Sequence, residues 1–246
     1  MRIVDYFGAS LLFTIKKIVV GFIIAFWASH LLADERAPVL VELFTSQGCS
    51  SCPPADAILR DLSKDPNVVA LAFHVDYWDY IGWKDSFADP SFSQRQKIYA
   101  RLASQTAVYT PQFMINGQTA IAGSEPNKLK REISKSFKRN QIFEIAFKSS
   151  GNQVQVKLSA AKSTEAFIAN ILAIYFIPEA WVEIERGENS GRVMNYSNIV
   201  TKVKNLGQWG AQKPWRKTIL SEPDQNIAVI VQLIGQGKVV AASILR

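Results

Sequence analysis

Pro38-Val-Leu-Val-Glu-Leu-Phe-Thr45, Ser46-Gln-Gly-Cys49-Ser-Ser-Cys52 and Pro53-Pro-Ala-Asp-Ala-Ile-Leu-Arg-Asp-Leu62 follow one another without a break. The first piece is a run of β-formers and predicts a strand, the second is turn-like, and the third predicts a helix. Prolines 53 and 54 fit a first helical turn, where their missing N–H groups would have had no intrahelical partner; deeper in the helix the same pair would break it. Cys49 and Cys52 therefore straddle a strand-to-helix junction. This spacing predicts one thiol at the exposed start of a helix and the second about one turn inside. Helix N-terminal N–H groups and the macrodipole favour a thiolate there, which makes Cys49 the candidate nucleophile and Cys52 the resolving partner.

Downstream, Asn67 to Asp76 is a continuous apolar run after the turn signal Asp65-Pro66, as expected of a parallel strand buried on both faces. An aromatic loop, Tyr77 to Asp85, leads to a helix from about Pro90 to Ser104, with Phe92, Ile98, Tyr99 and Leu102 on its apolar side. Thr110 to Gly117 predicts a short strand and an Asn-Gly turn, Thr119 to Ala122 its hairpin partner, and Glu125 to Arg139 an amphipathic helix. The order strand-helix-strand-helix-strand-strand-helix is that of a thioredoxin-like α/β core. From about residue 141 the pattern turns mainly β: Ile142 to Lys148, Val154 to Ser159, Ile168 to Ile177 and Ile227 to Ile234. The expected organisation is a segment 1–33, a thioredoxin-like domain 34–140, and a mainly-β unit 141–246 that is either a sandwich-like domain or an extension of the first sheet.

The 246 residues carry a formal charge of +7, of which Arg2, Lys16 and Lys17 against Asp5 supply +2. The remaining excess is mild and lacks the dense basic stripe with aromatics that nucleic-acid binding uses. Lys128, Lys130, Arg131, Lys135, Lys138 and Arg139 read as the wet face of the last core helix. Lys16-Lys17, the apolar run Ile18 to Trp27 and the return of polarity at Asp34 read as an export signal ending at Ala33; the run is short of the ~20 residues of a membrane span. A periplasmic or secreted protein is expected, touching a membrane only through that segment if it is retained. Outside the cytoplasm a cysteine pair persists as a disulfide. The chain has two cysteines, and a bridge across so short a loop is a poor staple, because little closure entropy is removed.

Other residues join the candidate site. Thr110-Pro111 opens the strand expected beside the helix after Cys52, the place where thioredoxin-fold proteins put a cis-proline whose preceding backbone pairs with an extended partner; a trans proline at an edge strand is the alternative. His74, Asp76, Trp78 and Asp79 cluster at the carboxyl end of the second strand, where parallel sheets form sites. Asp76 or His74 is placed to exchange a proton with Cys52, while a buried, satisfied His74 and core-capping Trp78, Tyr80 and Trp83 are the bland alternatives. Thr110, Tyr109 and Trp78 are the candidates for contact with a partner. Zinc lacks ligands, but Cys49 and Cys52, with His74 nearby, also form a candidate copper(I) site.

Val41 to Asp56, Phe73 to Asp85, Tyr109-Thr-Pro-Gln112 with Asn116-Gly117, and Arg186-Gly-Glu-Asn189 with Gly191-Arg192 resemble the bacterial secreted proteins grouped as domain-of-unknown-function family 1223. The resemblance runs from about Pro38 to the C-terminus. It implies a thioredoxin-like fold, Cys49 and Cys52 as redox pair and Pro111 as cis-proline, and it supplies no substrate. Ser50-Ser51 replaces the Gly-Pro of typical thioredoxins, and no Trp precedes Cys49. The expectation is an exported thiol-disulfide oxidoreductase without an organic cofactor, acting on exported protein thiols or disulfides or on another redox protein. The alternative is a non-catalytic binding module or copper(I) protein using the same cysteines. Arg186 to Arg192 reads as either a charged binding loop or a Gly-shaped turn.

Overall fold

A computed structural model describes residues 37–137, 143–161 and 167–245. The expected export signal, the expected boundary at 140/141, and Lys138 and Arg139 lie outside them. The β-formers after Pro38 build β1 (Val39–Thr45) and the segment from Pro53 builds helix α1 (Pro53–Leu62). β2 (Val68–His74) follows, then a 3-10 turn (Asp79–Ile81) in the aromatic loop, α2 (Pro90–Leu102), β3 (Gln112–Ile115), β4 (Thr119–Ala122) and α3 (Pro126–Ser136). The helix starts obey local chemistry. Each begins on a proline, and the Asp89 side chain caps α2 by accepting from the Ser91 N–H at 2.7 Å. Leu102 departs from expectation: it is exposed, while Arg95 and Gln96 are buried on the same helix.

The rest is β-structure: β5 (Phe143–Ser150), β6 (Gln153–Ala160), β7 (Ala169–Glu183), β8 (Val193–Trp209), β9 (Trp215–Leu220), β10 (Asn226–Leu233) and β11 (Val239–Leu245). These do not all form a sheet of their own. One eight-stranded mixed sheet has the order β11-β10-β7-β8-β2-β1-β3-β4, and a second sheet contains only β5-β6-β9. β1 and β2 run parallel, β3 antiparallel to β1, and β8 joins the outer edge of β2 at Ala72 and Ile199.

Period-2 alternation decides what each face packs against. Leu40 and Phe44 of β1 share a core with Phe92 and Tyr99 of α2 and with Leu172, Ile174 and Ile230 of the second half. The opposite residues, Val39, Val41 and Leu43, pack under Ala55 and Leu59 of α1 and Leu129 and Ile133 of α3. Ile171, Ala173, Val229 and Val231 face Val154, Val156 and Leu158 of the small sheet. The site thus lies at the carboxyl ends of β1 and β2, with helices on both sides. Among the described residues no helix is long and apolar enough to cross a membrane.

Candidate functional site

Cys49 and Cys52 form a disulfide at the N-terminus of α1. Cys52 is the residue that caps the helix, and its carbonyl accepts from the N–H groups of Ala55 and Asp56 at 2.9 and 3.1 Å. Two expectations need correction. Cys49 is 1 % exposed and Cys52 0 %, so the nucleophile candidate is covered rather than solvent-reachable. The first turn also offers a nascent thiolate fewer N–H donors than its position promised: Pro53 and Pro54 have none, and those of Ala55 and Asp56 are used. What remains is the macrodipole and the Ser51 hydroxyl, 3.4 Å from Cys49 Sγ and positioned to donate to it.

The loop that carries Cys49 is held from both halves of the chain. Gly48 packs so closely on Trp78 and Ile81 that a Cβ there would lie 3.2 Å from the Cβ of Trp78. Trp83 Nε1 donates to Gln47 Oε1 at 2.8 Å, and Gln47 N donates to Asp85 Oδ2 at 2.8 Å. From the turn between β7 and β8, the Asn189 amide donates to the carbonyls of both Gln47 and Cys49 at 2.9 Å. Ser50 and Ser51 alone stay exposed in this loop.

The Thr110–Pro111 peptide is cis. A Cβ on Gly123 would sit 2.4 Å from Pro111 Cγ and 3.1 Å from Ala55 Cβ, which places the proline ring against the first turn of α1. Trp78 Nε1 donates to Thr110 Oγ1 at 2.7 Å, so the aromatic loop is tied to the segment before Pro111. Tyr109 is half-exposed, and its carbonyl accepts from Gln96 Nε2 at 2.8 Å. Cys49, Cys52, Trp78, Thr110 and Pro111 therefore belong to one neighbourhood.

The two candidate proton carriers are engaged elsewhere. Asp76 is bonded to the Ser93 hydroxyl at the start of α2. His74 is fully buried, its Nδ1 2.7 Å from Asp85 Oδ2, and its Nε2 has no hydrogen-bond partner among the described residues. Burial opposes the imidazolium, but the Asp85 charge and hydrogen bond, and the charge of Asp56, outweigh it and hold the His74 pKa above its usual value. Burial likewise opposes the Asp85 carboxylate, yet His74 and the N–H groups of Gln47 and Phe87 pull its pKa down.

The carboxyl group nearest in the chain to Cys52 is Asp56, one helical turn on and therefore on the same face of α1. It is buried; Oδ1 accepts from Thr45 Oγ1 at 2.8 Å, and Oδ2 has no hydrogen-bond partner among the described residues. Burial raises its pKa to about 7, against the pull of His74, the Thr45 hydroxyl and Arg60. Its position was readable in Cys52-Pro-Pro-Ala-Asp56, but nothing in the sequence marks this acid as buried. An open cleft of about 440 Å³ runs along α1, lined by Asp56, Arg60, Trp181, Val193 and Asn195 among others. Among the described residues no group of three His, Cys, Asp or Glu side chains is arranged to hold a metal ion.

Fold and site together define an α/β protein with a large mixed sheet and a CxxC disulfide at a strand-to-helix junction. The chain belongs to the family of proteins of unknown function DUF1223, whose model matches residues 40–232. Its structure is similar to that of protein AGR_C_4864 from Agrobacterium tumefaciens, with 31% identity, 86% of this chain and 95% of the other covered, and a TM-score of 0.74. HBP35 of Porphyromonas gingivalis, 13% identical, has a similar fold over 85% of this chain and 75% of its own, with a TM-score of 0.64. No curated protein matches the sequence.

Proposed function

We propose that the chain is an exported thiol-disulfide oxidoreductase on a thioredoxin-like core, in which Cys49 and Cys52 alternate between disulfide and dithiol. The observation that carries this is the Cys49–Cys52 bridge lying one helical turn from a buried carboxyl group, Asp56, whose pKa is raised to about 7. A staple has no use for such a group, which costs stability once ionised; a resolving thiol does. The sheet order β2-β1-β3-β4, with β3 antiparallel to β1, agrees with a thioredoxin-like core. Export rests on the sequence pattern of residues 1–33.

In the reducing direction a partner thiolate attacks Cys49 Sγ, the Cys49–Cys52 bond breaks, and Cys52 leaves as a thiolate that takes the proton of Asp56. In reverse, the Asp56 carboxylate accepts the Cys52 proton, Cys52 attacks the mixed disulfide, and the partner is released. Trp78, bonded to Thr110, Pro111, packed near the first turn of α1, and the half-exposed Tyr109 are the residues assigned to contact with the partner. His74, paired with Asp85, supports the site by its charge rather than carrying the proton. No organic cofactor is required.

The test is a Cys52→Ser chain incubated with exported protein from the native host, which is expected to accumulate mixed disulfides on Cys49. Asp56→Asn is expected to slow resolution tenfold or more at pH 7. The covered position of both sulfurs favours a second reading, a binding module whose disulfide never turns over. That reading is taken if Cys52→Ser traps nothing, and a copper(I) role if the reduced protein binds that ion tightly as well.

A further inference from the structure

We infer that the β7–β8 turn, residues 184–192, is a latch on Cys49 and that the Asn189 side chain is its catch. The inference rests on the redox reading and concerns the control of that same site. The turn holds its own shape: Ile184 N and Gly191 N exchange bonds with Arg192 O and Ile184 O at 2.9 and 2.7 Å, and Ser190 Oγ donates to Glu185 O at 2.8 Å. Its residues are exposed except two, Ile184 and Asn189. Ile184 anchors the base of the turn in a small cluster with Met194, Tyr196 and Ile199. Asn189, 1 % exposed, reaches the opposite way, into the loop that carries the disulfide.

The attachment is narrow. One amide group holds the carbonyls of Gln47 and Cys49, both bonds at 2.9 Å, while Asn189 Oδ1 is buried without a hydrogen-bond partner among the described residues. Gly187, at φ +79°, lies against Trp83, and Trp83 in turn holds Gln47. A preformed turn fixed at its base and tied at its tip by one side chain can lift as a unit, exchanging two hydrogen bonds to carbonyls for bonds to water. While it is down, it holds the loop in the arrangement in which Cys49 is 1 % exposed. Once it lifts, a thiolate attacks Cys49 Sγ, the Cys49–Cys52 bond breaks as the mixed disulfide forms, and Cys52 leaves as a thiolate, so one S–S bond replaces another. Asn189 is thus a positioning residue that governs access to the sulfur.

The test is the rate at which dithiothreitol reduces the disulfide of the full chain, well below its melting temperature, in wild type and Asn189→Ala. A tenfold or greater acceleration is expected, which corresponds to weakening the closed state by about 1.4 kcal/mol. Equal rates within twofold overturn the latch. If Asn189→Ala does not fold, Trp83→Phe, which keeps an aromatic ring and deletes the bond to Gln47, is expected to accelerate reduction severalfold, and an unchanged rate overturns the latch in that case. A side chain that mattered only for stability would move the melting temperature and leave this rate alone. Repeating the trapping experiment with Cys52→Ser against Cys52→Ser/Asn189→Ala separates the two claims. Mixed disulfides forming equally fast in both overturn the latch and leave the redox reading. An accelerated reduction with no mixed disulfide in either chain overturns the redox reading and leaves the latch.

Discussion

A carboxyl group without solvent and with only one hydrogen-bonded oxygen resists ionisation, and Asp56 is in that position. The charged and titratable groups facing it are His74, Asp85, Arg60 and Tyr196. Because its pKa rises from 3.8 to about 7 on folding, the native state keeps a proton that the unfolded chain has lost, and stability falls as pH rises through that interval. The full effect is on the order of 4 kcal/mol. Asp56→Asn, which cannot ionise, is expected to be several kcal/mol more stable than wild type at pH 8, with the gap closing toward pH 4. Denaturant titrations at several pH values check this; a pH-independent difference contradicts it. His74 and Asp85 differ from Asp56 in that folding favours their charged forms, so each contributes stability instead of costing it. The raised His74 adds stability that is present below its ordinary pKa and lost as pH climbs through the raised value. The depressed Asp85 adds stability that is lost as pH falls through its lowered value.

The cysteine pair and Pro111 were legible because local chemistry marks them: a CxxC between β-formers and paired prolines, and an X-Pro at a strand start. Asn189 was not, because it meets Cys49 across 140 residues and its stretch reads equally as a charged binding loop or a Gly-shaped turn, neither of which points to Cys49. His74 and Asp76 were drawn into the site by nearness to a strand end, and their actual partners, Asp85 and Ser93, lie on segments whose approach no local pattern reveals.

At the scale of elements, α1 depends on a contact where there is no room for a methyl group. A Cβ on Gly123 would overlap Pro111 and press on Ala55, so Gly123→Ala forces the proline segment away from the helix that carries the disulfide. The expected cost is about 1–3 kcal/mol, measured by denaturant unfolding; a neutral substitution would mean that the Pro111 segment is not packed on α1. The first seven elements were legible to within a few residues because their periods and punctuation agree with their burial. β8, β9 and β11 were not. β8 carries Asn195, Ser197, Asn198, Lys202, Lys204 and Asn205, polar residues that a long ribbon tolerates but that break the alternation of a strand signal. β7 was expected to stop before Pro178. It continues because the ladder skips Pro178, opposite Asn198 at φ +50°, whose side chain instead donates to Ala70 O at 2.8 Å.

Across the whole molecule, a buried polar cluster joins three elements far apart in sequence. Glu42 of β1 accepts from Arg95 Nε and Tyr99 OH of α2, both at 2.7 Å, and the Arg95 guanidinium also reaches Gln232 of β10 at 3.2 Å. Burial opposes the Arg95 charge, but Glu42 and Tyr99 hold its pKa above the ordinary value. Removing the acid strands a buried guanidinium. Glu42→Ala is expected to cost about 3–5 kcal/mol, seen as a lower midpoint of one cooperative transition; loss of structure in only one half would contradict the shared core. A chain ending at residue 137 is expected not to fold, because β2 loses β8 and the α2 core loses Leu172, Ile174 and Ile230. That the second half continues the first sheet was left open by its sequence, since the β2–β8 pairing is one long-range register with no local signature.

Redox activity requires that the covered Cys49–Cys52 bridge be a working couple. The most direct measurement is to equilibrate the full chain in dithiothreitol or glutathione buffers of graded potential and count reduced Cys49 and Cys52. A reversible two-electron couple above about −300 mV is the predicted result; a bridge that stays closed below that potential, or opens only as the protein unfolds, contradicts it.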